Sequence, residues 1–217
     1  LRLLRGLHKA MLRRGVAYRA DHRVEHIAFS DGFRLSSAGS APIEARKLVL
    51  AAGLDNARLA PMVGLEAPVR PQRGQIIVTE RTAPFLDFPT GAVRQTDEGS
   101  ILIGSSQEEA GLSDRVGSGV IGVMADRAIR MFPRIARLNV VRSWACLRVL
   151  SPDGFPVYDQ SRTCPGAFLA TCHSGVTLAA AHAKLLAPAI ARGSLPEGFG
   201  VFSAGRFPPG GAASRGP

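Results

Sequence analysis

The apolar residues at the start of the chain recur at helical spacing. This pattern predicts a helix over residues 1–14, ended by Gly15, whose apolar stripe is formed by Leu3, Leu4, Leu7, Met11 and Leu12. Short alternating runs follow and are separated by turn residues, which predicts strands over residues 16–19, 24–29 and 33–37. The first part of the chain therefore reads as a helix followed by a small set of strands.

Continuous apolar runs near residue 50 and residue 170 are typical of buried strands. The first covers residues 47–52 (KLVLAA), and a helix is predicted over residues 55–63, stopped by Gly64. The second run, AFLAT at residues 167–171, follows Pro165-Gly166 and precedes an Ala-rich helix that begins near Val176.

Between these two runs the pattern is that of an antiparallel sheet with one helix. Strands are predicted over residues 75–80, 91–95, 100–105 and 140–150, and a helix over residues 120–132. Parallel-type strands at both ends, with antiparallel strands between them, predict an α/β fold in which a substrate-binding sheet interrupts a cofactor domain. The predicted boundaries are a partial cofactor domain at 1–68, the substrate sheet at 69–143, a return to the cofactor domain at 144–202 and a flexible Gly/Pro-rich tail at 203–217.

The turn between the last strand and the last helix carries candidate chemistry. His173-Ser174-Gly175 forms the turn, and Gly175 would let the backbone approach a ligand closely. A helix that starts just after the turn would direct its free N–H groups towards it, which suits a phosphate, a carboxylate or a reduced flavin ring. An ordinary connection between a strand and a helix is the alternative.

The chain carries a net charge of +10, with 27 Lys and Arg against 17 Asp and Glu. Its one basic cluster lies at the start of the chain and consists of Arg2, Arg5, Lys9, Arg13, Arg14, Arg19 and Arg23. Such a cluster is typical of a solvated helix face or a subunit contact. Nucleic-acid binding is the alternative, but Tyr18 is the one aromatic residue among these arginines, so we expect no nucleic-acid partner.

The remaining composition is that of a protein with a substantial core. The chain is 46% hydrophobic, and its apolar runs fall short of the roughly 18 residues that a transmembrane helix requires. Cys146, Cys164 and Cys172 form no metal-binding spacing and suit reduced thiols, so we expect a cytoplasmic location and no metal site.

Two segments near the end of the chain resemble a known family. Residues 143–159 read SWACLRVLSPDGFPVYD, and residues 167–191 read AFLATCHSGVTLAAAHAKLLAPAIA. Together with KLVLAAG at 47–53, VRPQRGQIIVT at 69–79 and ILIGSSQEEAG at 101–111, they resemble the FAD-dependent amine oxidoreductases of the D-amino-acid oxidase type. The glycine oxidase, sarcosine oxidase, opine oxidase and hydrogen cyanide synthase flavoprotein types match best.

This resemblance implies the fold, the cofactor and the reaction. The fold would be a Rossmann-like FAD-binding domain of the glutathione reductase type, here partial and interrupted by an antiparallel substrate-binding sheet. The reaction would move a hydride from the carbon that bears an amine to FAD, in a small carboxylated amine such as glycine, a D-amino acid, a proline derivative or an opine. Alternatives are a truncated or non-catalytic subunit of such an enzyme and a basic nucleic-acid-binding domain.

The family's glycine fingerprint for the FAD pyrophosphate is expected upstream of this sequence. Residues 117–122 (GSGVIG) fit the G-x-G-x-x-G pattern, but they follow a polar segment rather than a buried strand. An acidic residue about 20 positions further on is also missing. These glycines are therefore predicted to be a loop that leads into the helix over residues 120–132.

The resemblance also implies the site residues. Arg148, the arginine of a W-x-x-L-R motif, would bind the substrate carboxylate through two parallel hydrogen bonds; a local salt bridge to Asp153 or Asp159 is the alternative. Val24 would contact the adenine through its backbone, Gly53 would pass close to the cofactor, and the pyrimidine edge of the flavin would face His173, Ser174, Gly175, Val176 and Thr177. No general base is assigned, since positioning of an unprotonated amine matters more in this reaction.

Cys146 lies where monomeric sarcosine oxidase carries a cysteine linked to flavin. Because Arg148 follows the glycine oxidase pattern instead, a small buried cysteine is the default interpretation and covalent attachment the alternative. The PDGFPVYD and TCHSGVTLAAAH segments look closer to the multi-subunit dehydrogenases than to the oxygen-using oxidases. We therefore expect electron-accepting companion subunits, for which the basic face of residues 1–23 could be a docking surface. Membrane association is expected only through such partners.

Overall fold

The computed structural model describes residues 2–208. Helix α1, Arg2–Arg13, confirms the predicted first helix, and Gly15 follows it with a left-handed φ of +76°. The four leucines of its apolar stripe are exposed, and Arg2 pairs with Asp97 and Glu98. The predicted strand at residues 16–19 is wrong: these residues take no regular structure, since the short run has no strand to pair with.

A small antiparallel sheet follows. It consists of β1, His26–Phe29, β2, Phe33–Ser37, and β3, Ser40–Ala45, in that order. The turn between β1 and β2 pairs Phe29 with Phe33, whose rings lie 4.9 Å apart. Strand β3 was not predicted from the sequence, because it has no regular apolar alternation and becomes a strand through its pairing with β2.

The second sheet joins segments from opposite ends of the chain. Strand β4, Leu48–Leu50, runs parallel to β10, Ala167–Thr171, and β10 pairs on its other side with the antiparallel strand β9, Val157–Gln160. The core beneath it contains Leu50 and Leu169, which are fully buried. The predicted helix over residues 55–63 is a 3-10 turn, helix α2 (Asn56–Leu59) and a second 3-10 turn, and Gly64 ends it at a φ of +65°.

The third sheet has four antiparallel strands. They are β5, Arg70–Arg81, β6, Val93–Gln95, β7, Ser100–Gly104, and β8, Val140–Leu150, in the spatial order β6-β7-β5-β8. Helix α3, Ser118–Met131, covers one face of this sheet, and a 3-10 turn, Pro133–Arg137, leads from it to β8. The core between them is formed by Ile77, Val93, Ile101, Ile103, Met124, Ala128 and Ile135.

The predicted domain boundary at residues 143 and 144 falls inside β8. This strand pairs with β5 from Val140 opposite Thr79 to Leu150 opposite Arg70, so its full length belongs to the four-stranded sheet. The W-x-x-L-R motif therefore lies on the antiparallel sheet and not in the returning cofactor segment.

The last helix starts later than predicted. Residues 173–178 are a series of turns, in which the Leu178 N–H bonds to the Ser174 carbonyl, and helix α4 covers Ala179–Ala181. A π-helical turn, His182–Leu186, joins α4 to α5, Ala187–Arg192. This π-helical turn ends shortly before Pro188, whose backbone nitrogen carries no hydrogen and so cannot donate an α-helical hydrogen bond. Within residues 2–208 no helix has the length and apolar character that crossing a membrane requires.

The chain beyond Ser203 is fixed where the structure describes it, so the predicted flexible tail does not begin there. A 3-10 turn, Ala204–Arg206, follows Ser203, whose hydroxyl donates to Asp159 at 2.8 Å. Arg206 pairs with Asp153 at 2.8 Å, and Ala204 is buried. The rest of the predicted tail, residues 209–217, lies outside the described residues.

Candidate active site

Two parallel strands end at one edge of the second sheet. In the register of β4 and β10, Leu50 lies opposite Leu169, so the segments that follow them leave the sheet side by side. Gly53 follows β4 with a left-handed φ of +62°, and His173 begins the turn after β10. Ligands of α/β proteins bind beyond the carboxyl ends of such strands.

The turn after β10 is open to solvent. All of its residues from His173 to Thr177 are exposed, and the Val176 side chain is 70% exposed. A Cβ added to Gly175 would meet only the Cys172 sulfur, at an ordinary contact distance of 3.8 Å. These side chains are therefore not packed as in an ordinary strand-to-helix connection. Because regular helix begins at Ala179, its positive end is further from the turn than the sequence predicted.

Gly53 connects this edge to the antiparallel sheet. A Cβ on Gly53 would lie 3.4 Å from Val149 Cγ2, so the end of β4 meets the end of β8. Arg148 is the neighbour of Val149 in β8. The structure thus brings the predicted cofactor-contacting glycine next to the segment of the predicted carboxylate-binding arginine.

The Arg148 guanidinium is held by neutral groups. Its Nη2 donates to Ser105 Oγ at 2.6 Å and its Nη1 donates to the Arg73 carbonyl at 3.3 Å. Among residues 2–208 no carboxylate lies within 4 Å of this guanidinium. The alternative of a local salt bridge is wrong, because Asp153 pairs with Arg206 and Asp159 accepts from Ser203.

A carboxylate on the loop after β7 organises the surroundings of Arg148. Glu108 pairs with Arg73 at 2.6 Å and also accepts from Gln75 Nε2 at 2.8 Å and Ser106 Oγ at 2.5 Å. Burial alone would raise the pKa of Glu108, but the hydrogen bonds from Arg73, Ser106 and Gln75 outweigh it and lower the pKa to about 2. Sequence reasoning missed Glu108, although the Arg-x-Gln spacing of β5 places Arg73 and Gln75 on one strand face.

Val24 lies beside the helical turns that follow Gly53. Its carbonyl accepts from Arg58 Nη2 at 2.9 Å, and the same nitrogen lies 3.3 Å from Asp55. Val24 and Gly53 are brought to one region through Arg58 and Asp55.

Cys146 is exposed, so its default interpretation as a buried cysteine is wrong. The cause is its position on β8, an edge strand of the four-stranded sheet, opposite Gly74, which has no side chain to cover it. Cys172, in contrast, is half-buried, and burial raises the pKa of its thiol.

An apolar cavity of about 710 Å³ adjoins the exposed turn. Sequence reasoning did not find it, because its walls come from separate segments: residues 154–156, β9, Ser174 and Thr177 of the turn, the last helix and the 3-10 turn Glu197–Phe202. Its polar end is a hydrogen bond of 2.7 Å between the Tyr158 hydroxyl and His182 Nε2. Burial raises the pKa of Tyr158 to about 12, with a smaller contribution from Cys172, so the phenol is neutral at physiological pH.

With this geometry in view, comparison with known proteins places the chain in a family. Residues 1–189 match the FAD dependent oxidoreductase family, and the chain belongs to it. This confirms the family expected from the sequence, its FAD cofactor and the interrupted FAD-binding fold. The nucleic-acid alternative has no such support.

Individual relatives are similar over part of their length. An opine oxidase subunit from Rhizobium meliloti is 50% identical over 208 residues, which are 95% of this chain and 56% of that protein. Hydrogen cyanide synthase subunit HcnC of Pseudomonas aeruginosa is 34% identical over 82% of this chain and 44% of its own length. The glycine oxidase structure from Geobacillus kaustophilus superposes with a TM-score of 0.75 at 26% identity, covering 83% of this chain and 51% of that one. The chain therefore spans about half the length of the relatives it matches.

Proposed function

We propose that this chain provides the carboxylate-binding side, and part of the FAD-binding side, of an enzyme that oxidises the carbon–nitrogen bond of a small carboxylated amine. Glycine, a D-amino acid, a proline derivative and an opine all present an amine next to a carboxylate. The 50% identity to an opine oxidase subunit makes an opine the first substrate to assay.

The observation that carries this proposal is the state of Arg148. Its guanidinium is partly buried and held at two nitrogens by neutral oxygens, and no described carboxylate compensates its charge. A partly desolvated cation without a counter-ion favours an anionic ligand. A substrate carboxylate at Arg148 would fix the amine in one orientation beside the edge that Gly53 and the open turn form.

The residues of this chain fit FAD at that edge. His173 to Thr177 leave polar and backbone groups uncovered, Gly175 offers close backbone approach, and Gly53 adopts a conformation that a side chain would strain. We assign the pyrimidine edge of the flavin to residues 173–177 and a backbone contact with the cofactor to Val24 and Gly53.

When bound, FAD supplies the acceptor for a hydride from the carbon that bears the amine. The chain's own part is to bind and orient the substrate through Arg148 and to keep the amine close to the cofactor edge. We assign no proton-transfer role to His173, since it is exposed and its side-chain contact is Ser174 at 3.4 Å.

We further propose that the enzyme works with electron-accepting companion subunits. The opine oxidase relative and the hydrogen cyanide synthase relative HcnC are named as subunits, and α1 presents exposed basic and apolar side chains. Stopped-flow mixing of substrate-reduced enzyme with air-saturated buffer tests this. Slow reoxidation supports a dehydrogenase, and rapid reoxidation with peroxide release contradicts it.

The test of the carboxylate site is Arg148→Ala in the FAD-loaded enzyme. We expect KM for a carboxylated amine to rise about 100-fold with unchanged flavin content, since hydrogen bonds between charged groups are worth roughly 1.5–3 kcal/mol each. Arg142→Ala is the matched control. Arg142 lies on the same strand, but it is exposed and its guanidinium lies over the Trp144 ring. An unchanged KM in Arg148→Ala would show that Arg148 does not bind the substrate carboxylate.

A further inference from the structure

We propose that Glu108 is a positioning residue for Arg148, and that it sets the affinity of the site for carboxylates by fixing the two oxygens that hold the guanidinium. This inference rests on the proposed function, in which Arg148 binds the substrate carboxylate. Glu108 itself touches neither Arg148 nor, in this proposal, the substrate.

Glu108 is fixed to β5 by both its backbone and its side chain. Its N–H and carbonyl exchange hydrogen bonds of 3.0 and 2.9 Å with the backbone of Arg73, and its carboxylate binds the Arg73 guanidinium at 2.6 Å. These two side chains are only 15% and 16% exposed. The loop after β7 is therefore held against the strand at this residue.

Both oxygens that accept from Arg148 belong to this arrangement. The Arg73 carbonyl accepts from the Glu108 N–H at 3.0 Å and from Arg148 Nη1 at 3.3 Å. Ser105, the other acceptor, precedes Ser106, whose hydroxyl donates to Glu108 and accepts from the Gln75 N–H at 2.9 Å. Loss of the Glu108 carboxylate would release the Ser106 hydroxyl and with it the loop that carries Ser105, while the Arg73 carbonyl would keep its bond from the Glu108 N–H.

Gly74 provides the space in which the guanidinium lies. A Cβ on Gly74 would fall no more than 2.6 Å from the nitrogens and the central carbon of that group, which is too close for any real contact. The guanidinium is thus bounded by the β5 backbone and the loop after β7. A rigid donor loses less conformational entropy when it binds a carboxylate.

Glu108 neutralises one of the two neighbouring arginines, Arg73, and not the other, Arg148. Glu108 is ionised and compensates Arg73, so the charge of Arg148 is left for a ligand. Had Glu108 paired with Arg148 instead, the site would be neutral before the substrate arrived. An anion is therefore recognised by one cation, while its neighbour is used for structure.

The experiment compares Glu108→Gln, Ser105→Ala and Gly74→Ala with the wild type in the FAD-loaded enzyme. Glycolate serves as the probe because it has a carboxylate and no amine to oxidise, and its binding is measured by calorimetry alongside flavin content and thermal stability. We expect glycolate affinity to fall about tenfold in Glu108→Gln and Gly74→Ala, and roughly threefold in Ser105→Ala, while flavin content is unchanged. Glu109→Gln is the matched control, since Glu109 is the next residue but pairs with Arg70 and Gln72.

A double-mutant cycle separates positioning from a merely structural role. In an Arg148→Ala background, Glu108→Gln should cause no further loss of glycolate affinity, because its effect passes through Arg148. Equal losses with and without Arg148 would overturn the inference. Wild-type glycolate affinity in both Ser105→Ala and Gly74→Ala would also overturn the inference. These two variants keep the Arg73–Glu108 pair, so they test the inference even if Glu108→Gln folds poorly.

The same data distinguish this inference from the proposed function. If Arg148→Ala alone binds glycolate normally, the carboxylate site is wrong, and the inference fails with it. If Arg148→Ala loses affinity but the positioning variants do not, only the role of Glu108 is wrong.

Discussion

The two halves of the candidate site differ in how the chain supports them. On the proposed substrate side, Arg148 is held by Ser105 and Arg73 and bounded by Gly74, and Glu108 binds Arg73 and Ser106 in turn. On the proposed flavin side, residues 173–177 are exposed and make mostly local contacts. A carboxylate site needs a fixed donor, whereas a surface that a large cofactor will cover needs uncovered groups. Substitutions on the substrate side should therefore change stability and substrate binding, and those in the turn should change cofactor retention alone.

The largest effect on folding should come from Glu108→Gln. We expect the free energy of unfolding to fall by about 2 kcal/mol, between the values for exposed and buried ion pairs. Chemical denaturation of the two proteins measures it. A loss as small as that of an exposed pair would show that the substrate side is no more rigid than the turn.

The pH dependence of the difference in unfolding free energy between the wild type and Glu108→Gln tests the role of the Glu108 carboxylate directly. The pKa of Glu108 is lowered from 4.5 to about 2 in the folded protein, so its ionised form favours folding. Its contribution is fully present above pH 4.5 and is lost as the pH falls towards 2. The difference in stability between the wild type and Glu108→Gln should shrink over this interval and stay constant from pH 5 to 8.

Gly175→Val should lower FAD affinity and leave stability nearly unchanged, in contrast to Glu108→Gln. The added Cβ meets only Cys172, at an ordinary contact distance, and the turn is exposed, so thermal stability of the apoprotein should change little. FAD affinity should fall about tenfold, because the backbone can no longer approach the cofactor. Fluorescence titration with FAD measures this. Gly91→Val is the control, since nothing lies within 4 Å of a Cβ at that position. Normal FAD affinity in Gly175→Val would contradict our assignment of the turn.

Tyr158→Phe probes the cavity next to the turn. It removes the hydrogen bond to His182 and should lower the free energy of unfolding by about 1 kcal/mol. Because Tyr158 lies on β9 at the polar end of the cavity, and only Ser174 and Thr177 of the turn line that cavity, FAD affinity should remain at the wild-type level. A parallel loss of FAD would mean that the flavin side extends further into the molecule than proposed.

The smallest effect is expected from Cys146→Ser. Cys146 is exposed, so stability should be unchanged, and acid precipitation of the wild type should release the flavin into solution. Yellow colour that stays on the wild-type protein but not on Cys146→Ser would show covalent attachment. The thiol itself should react with a disulfide reagent faster than that of Cys172, which burial keeps protonated.

The same contrast explains what could be predicted from the sequence. Strands β8 and β10 were predicted residue for residue, because a long extended segment and a continuous apolar run define them locally. Strands β3 and β9 were missed because they are short, mix apolar with polar residues and depend on pairing with β2 and β10. Arg148 was found through its motif. Ser105 was missed because it contacts Arg148 from a loop 43 residues away in sequence, and Glu108 because it is held by a long-range bridge to Arg73 that no local pattern encodes.

The bridge between Arg73 and Glu108 also determines where the chain can tolerate insertions. It divides the segment between β7 and α3 into a short arm before Glu108 and a longer one after it. Lengthening the first arm would displace Ser105. In the second arm, Gly111 has open space around it and Leu112 is 75% exposed. Extra residues there would cost only the slowly growing entropy of loop closure, so relatives of this chain should vary in length after Glu108 and not before it.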